Sequence, residues 1–319
     1  IAQARRARQQ AKDERGFDFD YAQAERDPRF RESRRGLLEE FPEIERETPL
    51  EDLEHKQLYA NPYAEYLQGL FFLYSGFPGD REVGRTAIRN AAGMRRNTYL
   101  LSDVAFAETA AARGSTPPRV FVIFESGMAP KKVEYRLDVP VVLYNLAIHD
   151  TKVDYFGIAI PALRKVGFDH PCLLVTADGK TMETEILADM DAIIAREYKN
   201  ELPLIITRAV IRSVSKMVVQ YATAKALEDE DPYVQLLGRA AVAIYSAATN
   251  QADTRTWRTL PKNVQLASFP PPSDGQVLLE FPDGRMITSV SVDPNRATLI
   301  WVRCPSISAP AIVKQLYLN

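Results

Sequence analysis

LADMDAIIAREYKNELPLIITRAVIRSVSKMVVQYATAKALEDEDPYVQLLGRAAVAIYSAATN, residues 187–250, is the longest helical run in the sequence. Its apolar residues cover most of a helix circumference, the pattern of a helix with protein on nearly every side. Pro203 suits a first helical turn, where its missing N–H costs nothing. In the helix that follows, to about Leu227, Arg208, Arg212 and Lys216 fall four residues apart and so form one stripe. Three cations in such a span argue against a membrane-crossing helix. The stripe reads either as a solvated strip on a covered helix or as a docking strip for an acidic partner. Glu228-Asp229-Glu230-Asp231, closed by Pro232, should end this helix, and Tyr233 to Ala248 should form its pair.

Strand patterns flank that helix pair on both sides. RVFVIFESG (119–127) is rich in β-branched and aromatic residues. In KKVEYRLDVPVVL (131–143), Val133, Tyr135, Leu137 and Val139 alternate with Glu134, Arg136 and Asp138, which predicts a half-buried strand. FGIAIPAL (156–163) and PCLLVTADGKTMETEI (171–186) follow, the latter with a hairpin signal at Asp178-Gly179. After the helices come WRTLPKNVQLASF, GQVLLEF and RMITSVSV around a second turn at Asp283-Gly284, and ATLIWVRC. Strands, then helices, then strands predict an α+β domain over residues 118–319, with a mixed, mostly antiparallel sheet and a long central helix pair.

Helices dominate before Gly114-Ser115-Thr116-Pro117-Pro118, the best domain boundary. Residues 1–57 are rich in arginine and glutamate and read as an exposed, charged helical arm. Its Arg5-Arg6-x-Arg8 cluster reads as a solvated helix start, or as a contact for anionic lipid or a partner. Residues 58–114 read as a separate helical domain. Asn61 is placed to cap a helix with Pro62 at its first position, and Tyr63, Tyr66, Phe71 and Tyr74 are expected mostly in the core. Any of those aromatics left exposed would mark a binding surface. A second helix carries Gly84, Ala87 and Ala91, small enough for close approach, and a third starts near Thr98. The order of Gly69, Phe72, Gly79-Asp80, Gly84, Ile88 and Ala91 resembles one tetratricopeptide repeat.

The 319 residues are 46% hydrophobic and 26% charged, with a formal net charge of -2. Nothing in that balance calls for nucleic acid. The sequence begins at Ile1, which leads us to expect a removed or trimmed precursor; a signal peptide or lipid-bearing cysteine would lie there. Cys172 and Cys304 could pair in an oxidising compartment, but both sit in apolar runs, which favours two buried free thiols.

The residues that could carry chemistry are sparse. His170 and Cys172, two apart, lack further ligands for zinc, so no metal is expected. There is no glycine-rich phosphate loop, so no nucleotide cofactor is expected. Glu125-Ser126-Gly127 lacks the pattern of a nucleophile turn. Asp189, Asp191 and Glu197 open a helix, where carboxylates favour the dipole; an acid–base pair or divalent-ion site is the sharper alternative. ATNQADTRTWRTLPKN groups Asp253, Arg255, Trp257 and Arg258 in a helix-to-strand connection. An Asp–Arg pair with the indole on a guanidinium would pin a domain corner or form a partner site.

Five blocks together resemble a family of bacterial cell-envelope lipoproteins with a tetratricopeptide-like N-terminal part. They are NPYAEYLQGLFFLYSG, RVFVIFESGMAPKKVEYRLDVPV, FGIAIPAL, LADMDAIIAREYKNELPLIITRAVIRSVSKMVVQY and ADTRTWRTLPKNVQLA, in order over about residues 58–268. Members are often encoded beside the lipoprotein that activates penicillin-binding proteins. The resemblance implies a periplasmic location, attached to the outer membrane by an N-terminal lipid, and carries over no catalytic residues. We therefore expect a non-enzymatic envelope scaffold or adaptor that binds other envelope proteins or further copies of itself. An envelope-polymer hydrolase and a periplasmic peptide or small-molecule sensor are the alternatives. Arg208, Arg212, Lys216, Asp253, Arg255, Trp257 and Arg258 are the candidate partner-binding residues.

Overall fold

The computed structural model describes residues 39, 61–140, 155–167, 169–198, 201–202, 204–206, 209 and 252–318. The helix pair expected over 203–250, with Arg208, Arg212 and Lys216, lies outside these residues except for helical positions 204–206 and 209. The chain divides into two compact units, one of Ile1–Glu43, Arg136–Ile160 and Leu202–Gln251, the other of Ile44–Tyr135, Pro161–Glu201 and Ala252–Asn319. In the first, Ile158, Ala159, Ile160, Leu202, Ile206 and Ala209 are buried.

The second unit is α+β, with its helices first. They are α1 (Pro62–Tyr74), α2 (Asp80–Met94) and α3 (Thr98–Arg113). The strands are β1 (Val120–Ser126), β2 (Met128–Pro140), β3 (Tyr155–Val166), β4 (Leu174–Ala177), β5 (Lys180–Glu183), β6 (Glu185–Asp189), β7 (Asn263–Phe269), β8 (Gln276–Glu280), β9 (Met286–Ser291), β10 (Ala297–Cys304) and β11 (Ile312–Leu318). β2 and β3, which pair with each other, continue into the first unit.

A five-stranded sheet, β11-β10-β1-β7-β6, is the middle layer, and a four-stranded sheet, β5-β4-β8-β9, lies against one of its faces. Within these two sheets pairing is antiparallel except between β1 and β10, which run parallel. On one face, Phe121, Ile123, Leu187, Val264 and Leu266 pack with Tyr66, Leu70, Leu73, Ile88 and Leu100 of the helices. On the other, Val122, Phe124, Ala267, Ile300 and Val302 pack with Leu173, Val175, Val277, Leu279 and Val290. This sandwiching explains why VFVIF reads as an unbroken apolar run: β1 is covered on both faces, so alternation disappears.

Local chemistry sets the element ends. The Asn61 side chain accepts from Tyr63 N at 3.0 Å, with Pro62 next, as the sequence predicts. Asn97 does two jobs. Its Oδ1 accepts from Leu100 N at 3.0 Å to cap α3, and its Nδ2 donates to Glu185 O and Ile186 O at 3.1 and 3.2 Å, covering the outer edge of β6. Asp178 and Gly179 both have positive φ, 48° and 70°, the tight turn that Asp-Gly favours between β4 and β5.

Two expectations are corrected. Leu187, Ala188 and Asp189 belong to β6, not to a helix; the helix begins at residue 190. The edge of β7 claims these residues first, with a bulge between Ile186 and Ala188 that re-aims the strand into the helix. Of the four aromatics expected in the core, Tyr66 and Tyr74 are buried and Tyr63 is half-buried, but Phe71 is 65% exposed. α1 is apolar nearly all round, and it has more apolar sides than neighbours among the described residues.

Candidate functional site

β7 has seven buried residues, three of them polar: Asn263, Gln265 and Ser268. A polar group inside such a strand requires partners. Gln265 Nε2 donates to Asn263 Oδ1 and Pro171 O, both at 3.0 Å, and its Oε1 accepts from Thr184 Oγ1 at 2.6 Å. Thr184 Oγ1 in turn accepts from Leu173 N at 2.8 Å. Asn263 Nδ2 donates to Asp169, whose other oxygen accepts from Lys262 Nζ at 2.7 Å. A continuous polar line therefore runs from Thr184 to Lys262 at one end of the middle sheet.

Ser126 and His170 meet beside this line, but through the wrong atoms for nucleophilic catalysis. Ser126 Oγ accepts from His170 N at 3.1 Å and donates to His170 O at 3.2 Å. The imidazole instead stacks on Phe281, centroids 3.9 Å apart, and burial together with the charge of Arg285 lowers its pKa. Cys172 and Cys304 are free, buried thiols, as their apolar surroundings predict. Burial raises the pKa of both, so neither is an activated thiolate.

The acidic group at the helix start splits into different roles. Asp189 Oδ1 accepts from Ala192 N at 3.0 Å and so caps the helix. Asp191 is only 8% exposed, and its Oδ1 has no hydrogen-bond partner. Burial pushes its carboxyl up to about 6, against the pull of Lys262. Burial alone would lower Lys262, but its bond to Asp169 and the charges of Asp169, Asp191 and Asp189 raise it on balance. Among the described residues, no cluster of three or more histidine, cysteine or carboxylate groups is arranged to hold a metal ion.

The pKa of Asp191 carries a prediction. The carboxyl binds its proton more tightly folded, at about 6, than unfolded, at 3.8, so folding opposes its ionisation. Its penalty is absent below the unfolded value, grows as pH rises from there to about 6, and levels off above that at on the order of 3 kcal/mol before relaxation. Asp191→Asn should therefore gain about 1–2 kcal/mol over the native chain at pH 7.5 and nothing at pH 4. Urea unfolding of both proteins across that range checks it; parallel stability–pH curves would refute the assignment.

In the 252–262 connection, Arg255 Nε and Nη2 donate to the two oxygens of Asp253 at 2.8 and 2.7 Å. That bond holds the Asp253 carboxyl well below the usual range. The pair is exposed, as is Arg258. Trp257 is 72% exposed and donates its indole N–H to Thr259 Oγ1. Among the described residues no guanidinium stacks on that indole, so this expectation is corrected. The indole N–H is turned to Thr259, while Arg255 is committed to Asp253.

Further apolar surface lies on the helices. Phe71 and Phe77 are 65% and 68% exposed, and Val83 is 44% exposed. Val83 lines a shallow groove of about 330 Å³ between α1 and α2 with Glu65, Gln68, Glu82, Thr86, Ala87 and Asn90. No described helix is long and apolar enough to cross a membrane.

Neither family models, nor curated proteins, nor solved structures give a match to this chain.

Proposed function

We propose that this chain is a non-enzymatic scaffold or adaptor of the bacterial cell envelope that binds other proteins. The observation that carries the reading is the exposure of Phe71 and Phe77 on the α1–α2 hairpin. Large aromatics in water are costly unless a partner covers them, and aromatic anchors dominate protein interfaces. The close backbone approach of α1 and α2 at Gly69 and Gly84 supports reading this hairpin as tetratricopeptide-like, which would fit the same role. A periplasmic location with attachment to the outer membrane rests on the resemblance of the five sequence blocks. The hydrolase alternative is less favoured because Asp253 is tied to Arg255 and Asp189 caps a helix.

The test is capture from solubilised bacterial envelopes, with chemical crosslinking, by the native chain and by Phe71→Ser/Phe77→Ser. The native chain should retain a defined partner that the double variant loses at unchanged melting temperature. Equal capture by both proteins, or none by either, would overturn the reading.

A further inference from the structure

The two edges of the middle sheet are treated differently. The β6 edge is broken by a bulge and covered by the Asn97 amide, which bonds Glu185 O and Ile186 O. Among the described residues the β11 edge has neither device. Its register with β10 is unbroken from Ala297↔Leu318 to Arg303↔Ile312, and among the described residues no strand pairs its outer side. Native sheets avoid long regular edges because the unpaired N–H and C=O groups invite another strand.

The side chains of β11 indicate what that strand looks like. Val313 packs into the core between the sheets, and Gln315 Nε2 donates to Ser291 O at 2.8 Å, so one face of β11 is anchored. The other face carries Ile312, Lys314 and Leu316, opposite Arg303, Trp301 and Leu299 of β10. All three are exposed, Ile312 by 52% and Leu316 by 53%. Pro294–Leu318 contains three cations, Arg296, Arg303 and Lys314, and no carboxylate. Arg303 is answered by Glu125 of β1 at 3.8 Å, and the ring of Tyr317 lies under Arg296 at 4.1 Å. Lys314 is left as the exposed charge between two exposed aliphatics.

We propose that the outer edge of β11 takes an extended segment of a partner protein by strand addition, with a carboxylate set against Lys314 and apolar side chains against Ile312 and Leu316. This rests on the protein-binding reading above and adds a second surface to it. Backbone hydrogen bonds supply affinity in this mode, and alternate side chains supply selectivity. A second copy of the chain fits less well. Two β11 strands paired over their full length would bring their Lys314 ammoniums together as diagonal neighbours, with no carboxylate from either segment between them. One lysine at mid-edge thus discourages self-pairing and favours an acidic guest.

The probe is a labelled, end-capped peptide of seven residues: valine second and sixth, glutamate fourth, threonine elsewhere. Fluorescence anisotropy with the full chain at low salt should show it binding about five- to tenfold more tightly than its lysine counterpart. Lys314→Glu should invert that order. N-methylation of one alternate set of peptide residues should abolish binding, and methylation of the other set should spare it, since only one set of N–H groups faces β11. Equal binding of the two peptides, equal effects of the two methylations, absence of saturable binding, or dimerisation of the chain through β11 would each overturn the proposal. Phe71→Ser/Phe77→Ser should leave peptide binding unchanged, so failure here and failure of the capture experiment are separable.

Discussion

Asp103→Ala is expected to cost about 3–5 kcal/mol of folding stability. Asp103 lies on α3 and is fully buried. Its Oδ2 accepts from Tyr66 of α1 at 2.6 Å and its Oδ1 from Ser268 of β7 at 2.7 Å. Arg119 Nε lies 3.0 Å from the same Oδ1, an ion pair rather than a well-aligned hydrogen bond. The guanidinium is held by Ser102 and Ser268 through Nη2 and lies 5.0 Å above the Phe106 ring. One carboxylate therefore ties two helices and the middle sheet together. Burial raises its pKa, and Arg119, Tyr66 and Ser268 pull it back only in part. The large cost comes from what truncation leaves behind: a nearly buried cation, a tyrosine hydroxyl and a serine hydroxyl without their acceptor. The double change Asp103→Leu/Arg119→Met should consequently regain at least about half of the loss, because it removes both charges together. Urea unfolding of the single and double variants decides this. A loss under about 1 kcal/mol for Asp103→Ala would mean that the network is wetter and weaker than its geometry implies.

That network also shows where sequence reading succeeds and where it stops. Elements written in local chemistry are legible: Asn61-Pro62 at the start of α1, Asp178-Gly179 between β4 and β5, the unbroken VFVIF of a strand covered on both faces. Contacts that join distant positions are not. Asp103 and Ser268 stand 165 residues apart, and Asn263 and Asp169 stand 94 apart, with no spacing rule to connect them. The one available signal is a polar residue inside a strand that should be buried, such as Gln265 in NVQLASF; it announces a partner without naming it. β6 is hidden for a different reason. Its five residues run directly into the helix at 190, so ILADMDAI has one continuous apolar rhythm across two structures. Phe71 is missed because α1 is apolar around most of its circumference, and which side meets water depends on where α2 and the sheet lie. The candidate loop at Asp253 was visible as a cluster, and its ion pair forms. Its indole contact did not follow, because the adjacency of Arg255 and Trp257 in sequence says nothing about which way each side chain turns.

Gly84→Ala should lower stability by about 2 kcal/mol, although alanine is the better helix former. α1 and α2 touch through backbone at Gly69 and Gly84. A Cβ on Gly84 would lie 2.8 Å from both Gly69 O and Leu73 N, and 3.0 Å from Leu73 Cγ. Backbone atoms cannot rotate out of the way as the end of a side chain can, so the helices must separate. Separation loosens Leu73, Ile88 and Ala91, all fully buried in the core beneath. The helix-propensity gain of about 1 kcal/mol is smaller than that cost. Gly93, in the same helix, has nothing within 4 Å of its would-be Cβ, so Gly93→Ala should gain about 0.5–1 kcal/mol. Two identical substitutions in one helix are thus expected to act with opposite signs, and urea midpoints at constant slope would show it. If both stabilise, the hairpin is looser than its geometry implies, and the surface that Phe71, Phe77 and Val83 present is not held in one shape. If Gly84→Ala destabilises and also weakens partner capture more than the lost stability accounts for, the spacing of α1 and α2 is itself part of what the partner reads.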